Sequence, residues 1–438
     1  MDDALPAGFE RFPDAPEAGG TVVVALSGGL DSVALLHLLA TQPALRARGL
    51  RAIHVHHGLH ADADRWAEHC AAACAALDVP LRVARVEVAR DAGIGLEAAA
   101  REARRRAFAD ALGAGEVLAL AQHRDDQAET FLLRALRASG VDGLAAMRPW
   151  QRFAAGWLWR PLLEVPRSAL LAWARARGLQ WIEDPANADL AHDRNFLRHR
   201  VLPLLRERWP GADAAFARSA ALAAADGSLL AEGDETALAR ARGVDPATLS
   251  VPALRALPQA RRARVLRRWI EALGLPPLPA HGVARIESDL LPAAGDREAA
   301  FAWGNAVVRR WRDLLHAGRP RPPLPAGWRA RWDGRAPLPL PGGGVLRLEG
   351  AEGFDAPLPV APRAGGERIT LPGRAHSHAL KHVLQDLGVP PWLRARMPLL
   401  VDPDGDVLAA ADLAFSGGFD GWLRARGASL VWGDASGG

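Results

Sequence analysis

The chain of 438 residues is expected to be an α/β protein. Its N-terminal part reads as a doubly wound parallel sheet, followed by a mainly helical domain and a small α+β C-terminal domain. Three observations carry this expectation. β-Branched apolar runs alternate with helical periodicity through the first two hundred residues, as in a parallel sheet covered by helices on both faces. Beyond about Pro210 the pattern turns to helices rich in Ala, Leu and Arg. Short strand-like runs return only near the C-terminus.

Taken in order, strands are expected at Thr21–Leu26, Leu50–His56, Leu81–Val88 and Val117–Ala121. Helices are expected at Asp31–Ala40, Asp62–Leu77, Leu96–Leu112 and Asp126–Ala138. Sheets of this kind bind ligands in the crevice at the carboxyl ends of their strands. The helical pattern then runs to roughly Trp311. Proline-rich stretches between His316 and Gly344 read as an extended connector. The divisions fall at residues 1–212, 213–315, 316–357 and 358–438.

Hydrophobic content of 49% and charged content of 24% are those of an ordinary globular protein. The high isoelectric point of about 10.1 comes almost wholly from arginine, because Lys381 is the only lysine. Arginine-rich surface suits a phosphate-backbone partner, although a net charge of +4 argues for one only weakly. Cys70 and Cys74 stand one helical turn apart with no His/Cys cluster to complete a metal site, so they read as small buried thiols. No disulfide framework, signal peptide or apolar run of transmembrane length is visible. A cytoplasmic protein with no membrane partner is expected.

Residues 22–32 read Val-Val-Val-Ala-Leu-Ser-Gly-Gly-Leu-Asp-Ser. Strand, tight turn and helix in that order build an anion site. Glycines let backbone N–H groups approach phosphate, and the helix N-terminus adds partial positive charge. The Walker P-loop would carry a lysine here, and none is present. Phosphate charge therefore falls to backbone amides, to the Ser27 and Ser32 hydroxyls, to arginines and to a divalent metal. Asp31 suits Mg²⁺, which takes one or two carboxylates together with phosphate oxygens. The string resembles the SGGxDS signature of the PP-loop ATP pyrophosphatases, which cleave ATP to AMP and pyrophosphate. That resemblance makes Ser27, Gly28, Gly29, Leu30, Asp31 and Ser32 the expected ATP-binding loop. A similar string, Ser416-Gly-Gly-Phe-Asp-Gly421, lacks the final hydroxyl and lies outside the βαβ run, so it reads as a turn.

A second constellation spans residues 121–136, Ala-Gln-His-Arg-Asp-Asp-Gln-Ala-Glu-Thr-Phe-Leu-Leu-Arg-Ala-Leu. Ala128, Phe131, Leu132, Ala135 and Leu136 recur on one helical face. Asp125 or Asp126 can cap the helix. Asp126 and Glu129 are neighbours on its first turn and repel unless a cation, Mg²⁺ or an ammonium group, lies between them. His123 sits at the carboxyl end of the preceding strand, either poised for a phosphate or reacting group or satisfied within the core.

His-Arg-Asp-Asp-Gln-Ala-Glu-Thr, Leu-Arg-Ala-Ser-Gly-Val-Asp-Gly-Leu and His54-Val-His-His-Gly-Leu resemble the tRNA(Ile)-lysidine synthetase family. So do Asp184-Pro-Ala-Asn-Ala-Asp-Leu-Ala-His-Asp-Arg-Asn-Phe-Leu-Arg198, Leu-Pro-Gly-Arg-Ala-His-Ser-His-Ala-Leu-Lys and Gly-Val-Pro-Pro-Trp-Leu-Arg. The family commonly has Asn where this chain has Val55, and Tyr where it has Arg105 and His192. Residues 215–360 carry no such motif. The resemblance implies an adenine nucleotide alpha hydrolase-like fold for 1–212 and tRNA contacts in 213–315 and 358–438. It implies a C–N-bond-forming ligase. ATP adenylates the C2 oxygen of the wobble cytidine in an isoleucine tRNA with a CAU anticodon, and the side-chain amine of free L-lysine then displaces AMP. Asp31, His123 and Arg194 become the expected catalytic residues, with Asp31 on the metal. Asp126 and Glu129 become readers of lysine's ammonium. Arg198, Arg374 and Lys381 become tRNA contacts, and Asn195 and Arg198 also shape the pocket. Whether the protein forms a homodimer is left open.

The same phosphate loop serves tRNA thiolation enzymes, amidating synthetases and NAD synthetase. Thiolation needs sulfur-carrying cysteines, and the Cys70/Cys74 spacing is wrong for that. A glutamine-hydrolysing synthetase needs a glutaminase cysteine, and none is apparent. A non-catalytic tRNA-binding protein would have no use for a phosphate loop and an acidic pair together.

Overall fold

A computed structural model describes residues 20–88, 95–293 and 299–433. Two compact units divide it, at Met1–Glu232 and Gly233–Gly438.

In the first unit the order is β1 (Val22–Ala25), α1 (Leu30–Ala40), α2 (Pro43–Ala47), β2 (Leu50–His56), α3 (Ala63–Ala75), β3 (Leu81–Arg85), α4 (Leu96–Ala111), β4 (Val117–Ala119) and α5 (Arg124–Leu136). There follow α6 (Val141–Leu144), the hairpin β5 (Trp150–Phe153) and β6 (Gly156–Trp159), then α7 (Arg167–Ala176). A 3₁₀ turn (Pro185–Ala188), α8 (Asp193–Phe196), a π turn (Leu197–Val201), α9 (Leu202–Arg208) and α10 (Ala212–Ala241) complete it, the last helix ending in the second unit.

The six strands form one sheet in the order β3-β2-β1-β4-β6-β5, parallel except for the edge strand β5. Successive side chains of β1 point to opposite faces. Val22 and Val24 join a core with Leu35, Leu39, Cys70, Cys74 and Leu170 from α1, α3 and α7. Val23 joins a second core with Ala111, Leu112, Phe153 and Leu158. Burial on both faces explains why β1 is an unbroken apolar run without alternation. The chain leaves β1 toward β2 and β3, then returns to place β4 on the other side of β1. That reversal opens a crevice at the carboxyl ends of β1 and β4. The two constellations singled out in the sequence follow these two strands.

In the second unit, α11 (Val251–Arg255), α12 (Gln259–Ala272) and α13 (Ala280–Arg285) pack with an antiparallel sheet of order β7-β10-β9-β8. Its strands are β7 (Thr248–Ser250), β8 (Ala299–Trp303), β9 (Ala306–Trp311) and β10 (Leu314–Gly318). The helices expected after Pro210 are present, but the stretch approaching Trp311 is strand. Gly304-Asn305 turns β8 into β9, a hairpin signal hidden in an Ala- and Arg-rich composition that favours helix.

The expected connector, 316–357, is likewise corrected. It holds β11 (Ala330–Trp332), β12 (Leu338–Pro339) and β13 (Val345–Glu349). β11 pairs with β14 (Leu358–Pro362). β13 pairs along its whole length with the chain's last described strand, Ser429–Gly433. Within 316–357 the prolines fall between the strands, except Pro339, which ends β12, positions that cost a ladder least. Ser416, in the second Gly-Gly string, caps the helix Gly417–Arg426 by accepting from Phe419 N at 3.3 Å.

Candidate active site

From β1 the chain reaches the crevice at Leu26 and turns into α1 through Ser27, Gly28 and Gly29. Gly28 has φ +89°, and a Cβ there would lie 2.9 Å from Ile182 Cδ1 and 3.2 Å from Cys70 Sγ. Conformation and space both require glycine. Ile182 N donates to Gly28 O at 2.9 Å and fastens the loop from a distant segment. Ser32 Oγ donates to Gly29 O at 3.0 Å and accepts from Ser27 N at 3.2 Å. Ser32 is thus a buried brace, whereas Ser27 is exposed. No side chain caps α1 at Gly29. The N–H groups of its first turn, which a helix cannot pair internally, suit an anion.

Asp31, in that first turn, has Oδ2 3.6 Å from His123 Nε2 and Oδ1 3.4 Å from Arg167 Nε. Oδ1 is buried without a hydrogen bond. Burial pushes the carboxyl's pKa up, but His123, Arg167 and Arg198 outweigh it and hold the group below its ordinary value. The described residues contain no cluster of three or more His, Cys, Asp or Glu able to hold a metal. A divalent ion here would rely on Asp31 and on oxygens brought by a substrate.

His123 follows β4 and caps α5. Its Nδ1 accepts from Asp126 N at 3.3 Å, and Asp126 Oδ2 accepts from His123 N at 3.2 Å. This reciprocal pair is a capping box. With Nδ1 accepting, the neutral ring carries its proton on Nε2, between Asp31 Oδ2 at 3.6 Å and Asp126 Oδ2 at 3.4 Å. His123 is only 1% exposed. Burial pushes its pKa down, yet Asp31, Asp126 and Asp125 together raise it above the ordinary value. Asp125 has another task. Its Oδ1 accepts from Arg167 N at 2.9 Å and its Oδ2 pairs with Arg206 at 3.0 Å.

Asp126 and Glu129 lie one turn apart, as their spacing predicts, and a cation does sit between them. It is Arg198. Its Nε donates to Glu129 Oε1 at 2.7 Å, and its Nη2 to Glu129 Oε2 at 3.0 Å and Asp126 Oδ1 at 2.9 Å. Arg194 brings Nε to 3.3 Å from Glu129 Oε2 and donates through Nη2 to Thr130 Oγ1 at 2.8 Å. Glu129 is fully buried. Burial pushes its pKa up and Asp126 adds to that, so it stays above its ordinary value despite Arg198. Burial works against the Arg198 charge, but Glu129, Asp126 and Asp31 prevail and strengthen it.

Arg198, expected among the tRNA contacts and as a residue shaping the pocket, lies inward on the π turn. A buried carboxylate leaves little choice, since an unpaired charge there costs several kcal/mol. Asn195 sets the segment by donating to Ala186 O at 3.0 Å and Asp189 O at 2.9 Å. Sequence reasoning missed Arg167, Arg206 and Ile182, which no local spacing marks. Arg105, at a position where the family has Tyr, lays its guanidinium 4.9 Å over the Phe153 ring. Arg374 and Lys381 are exposed in the second unit.

Family models match the chain in three places. Residues 9–205 match the PP-loop domain, 249–316 the TilS substrate binding domain and 358–432 the TilS substrate C-terminal domain. The tRNA(Ile)-lysidine synthase of Xanthomonas axonopodis pv. citri (strain 306) is 58% identical over 429 residues, 97% of this chain and 96% of that one. That of Xylella fastidiosa (strain Temecula1 / ATCC 700964) is 55% identical over 96% of this chain and 97% of its own length. That of Escherichia coli O157:H7 is 43% identical over 94% and 96%. With this identity along nearly the full length of each partner, the chain belongs to the tRNA(Ile)-lysidine synthase family.

Proposed function

We propose that the Ser27–Ser32 loop, His123 and the Asp126/Glu129 pair form one active site serving both steps of lysidine formation. The chain is a ligase that joins lysine to C2 of the wobble cytidine in the CAU anticodon of isoleucine tRNA, releasing AMP and pyrophosphate. The observation that carries the single-site reading is the 3.6 Å approach of Asp31 to His123. It joins the loop after β1 to the loop after β4 at the point where the sheet reverses.

In the first step the cytidine O2 attacks the α-phosphorus of ATP and the bond to the β-phosphate oxygen breaks. The N–H groups at the start of α1 hold the leaving pyrophosphate where its charge develops. Asp31, whose buried Oδ1 accepts no hydrogen bond, would hold Mg²⁺, which supplies charge neutralisation to the phosphates when bound. His123 Nε2–H faces the same space and orients the α-phosphate. Arg194 balances charge on the adenylated base. In the second step the lysine side-chain amine, in its neutral form, attacks C2, the C2–O bond breaks, AMP leaves and the new C–N nitrogen gives up a proton to solvent. An ammonium of lysine is read by Asp126 and Glu129, in exchange for bonds that Arg198 makes in the structure. Arg374 and Lys381, in the second unit, contact tRNA and take no part in the chemistry.

Separating the half-reactions tests this. ATP labelled at the α-phosphate should mark tRNA in the absence of lysine, and lysine should then chase the label off as AMP. Asp31→Ala should slow marking by roughly 10²–10³. Glu129→Gln should mark tRNA but chase poorly unless lysine is raised. Normal marking by Asp31→Ala contradicts the assignment.

A further inference from the structure

The outward face of the run from Asp193 to Arg208 has no part in the chemistry above. Phe196, Arg200, Leu204 and Arg208 recur there every four residues, and all are exposed. Phe196 is 49% and Leu204 65% exposed, and Trp209, at 60%, closes the row. Residues four apart share a helical face. The π turn Leu197–Val201, with its wider turn, keeps Phe196 and Arg200 in line. Neither Arg200 nor Arg208 has a hydrogen bond or ion pair among the described residues. His199 is also exposed, with Nε2 2.9 Å from Asn187 O, and Glu207 is the exposed acid between Leu204 and Arg208. The inward face of the same run carries Arg194 and Arg198 to Glu129. The row therefore borders the active site.

Exposed apolar side chains, aromatic at both ends of the row, interleaved with unengaged guanidinium groups match one chemistry well. Unpaired bases stack on aromatic side chains while arginines meet the flanking phosphates. A second copy of the chain fits less well, because a two-fold contact on this face would set Arg200 and Arg208 against like charges. We propose that this face docks the single-stranded loop of the RNA substrate. Phe196 and Trp209 stack on unpaired bases, and Arg200 and Arg208 contact the phosphates beside them. That the loop is an anticodon loop rests on the function proposed above.

The test uses the full chain and two synthetic RNAs, a hairpin with a CAU-containing anticodon loop and a blunt duplex of the same stem. Affinity is measured against salt. Phe196→Ala and Trp209→Ala should each weaken the hairpin about tenfold and leave the duplex unchanged. The Arg200→Ala/Arg208→Ala double variant should flatten the log–log salt slope for the hairpin by about 1.4, or ~0.7 per contact. Parental hairpin affinity in all three variants overturns the proposal. So does a shift in monomer–dimer equilibrium by sedimentation with RNA affinity unchanged. Lysidine formation by the parent protein separates the two readings. If it fails while the variants still lose hairpin affinity, the assigned reaction falls and the docking face stands. If it succeeds and the variants match parental kcat/KM, the docking face falls alone.

Discussion

Glu129 and Arg198 set the terms at the residue scale. Removing one partner of a buried pair leaves the other charge uncompensated, at about 3–5 kcal/mol. Arg198 keeps partial solvent access, with 28% of its side chain exposed. Glu129→Gln should therefore fall near the low end, about 3 kcal/mol by denaturant unfolding. Arg198→Met should destabilise similarly but leave the acidic pair hungry for a cation. Free lysine should then raise its melting temperature more than the parent's, since binding only the folded state stabilises by mass action. An equal shift in both proteins would mean that lysine does not read the pair. Asp31 gives a pH signature. Its folded pKa lies below the ordinary 3.8, so its contribution to stability is present above that value and is lost as pH falls through the folded pKa. The stability gap between parent and Asp31→Asn, followed by denaturant unfolding, should shrink as pH falls through that acid window, and again as pH rises through the folded pKa of His123, which Asp31 helps to raise. The phosphate loop was legible in sequence because its chemistry is contiguous. Arg198 as counter-ion was not, because it lies 69 residues from Glu129.

At the element scale, legibility followed turn chemistry. β1, β2 and β4 were visible as buried apolar runs, and the helices between them as periodic ones. The β5–β6 hairpin was not, because Ala154 takes the left-handed conformation at φ +50°, where Asn or Gly would have announced the turn. The strands between Ala330 and Glu349 were missed for a different reason: although Gly342–Gly344 take positive φ at the β12–β13 turn, the surrounding prolines read as an extended connector. Their placement makes a prediction about fragments. Trp332, Leu346 and Phe354 are buried with Val360, Leu400, Phe419, Leu423 and Leu430 in one core. A fragment of 358–438 lacks those three residues and leaves the edges of two sheets unpaired, so it should aggregate or stay unfolded. A fragment of 319–438 should unfold cooperatively, as followed by circular dichroism on heating. Equal behaviour of the two would contradict the strand pairing.

For the whole molecule, alternation along the chain gave the doubly wound sheet, and the sheet's reversal brings two separated motifs into one crevice. Sequence could not show that the crevice already holds a paired network of charges, with Asp31, Asp125, Asp126 and Glu129 facing Arg167, Arg206, Arg198 and Arg194, His123 among the acids and Asp213 also held by Arg206. Such a network suits a site that must take in an anionic nucleotide and a cationic amino acid in turn. The most direct measurement is a nucleoside digest of isoleucine tRNA with a CAU anticodon after incubation with the protein, ATP and labelled lysine. Label should appear in a modified cytidine at the wobble position, with one AMP and one pyrophosphate released per lysine attached. Pyrophosphate release with no lysine label in the tRNA, or label outside that cytidine, would contradict a single site performing both steps.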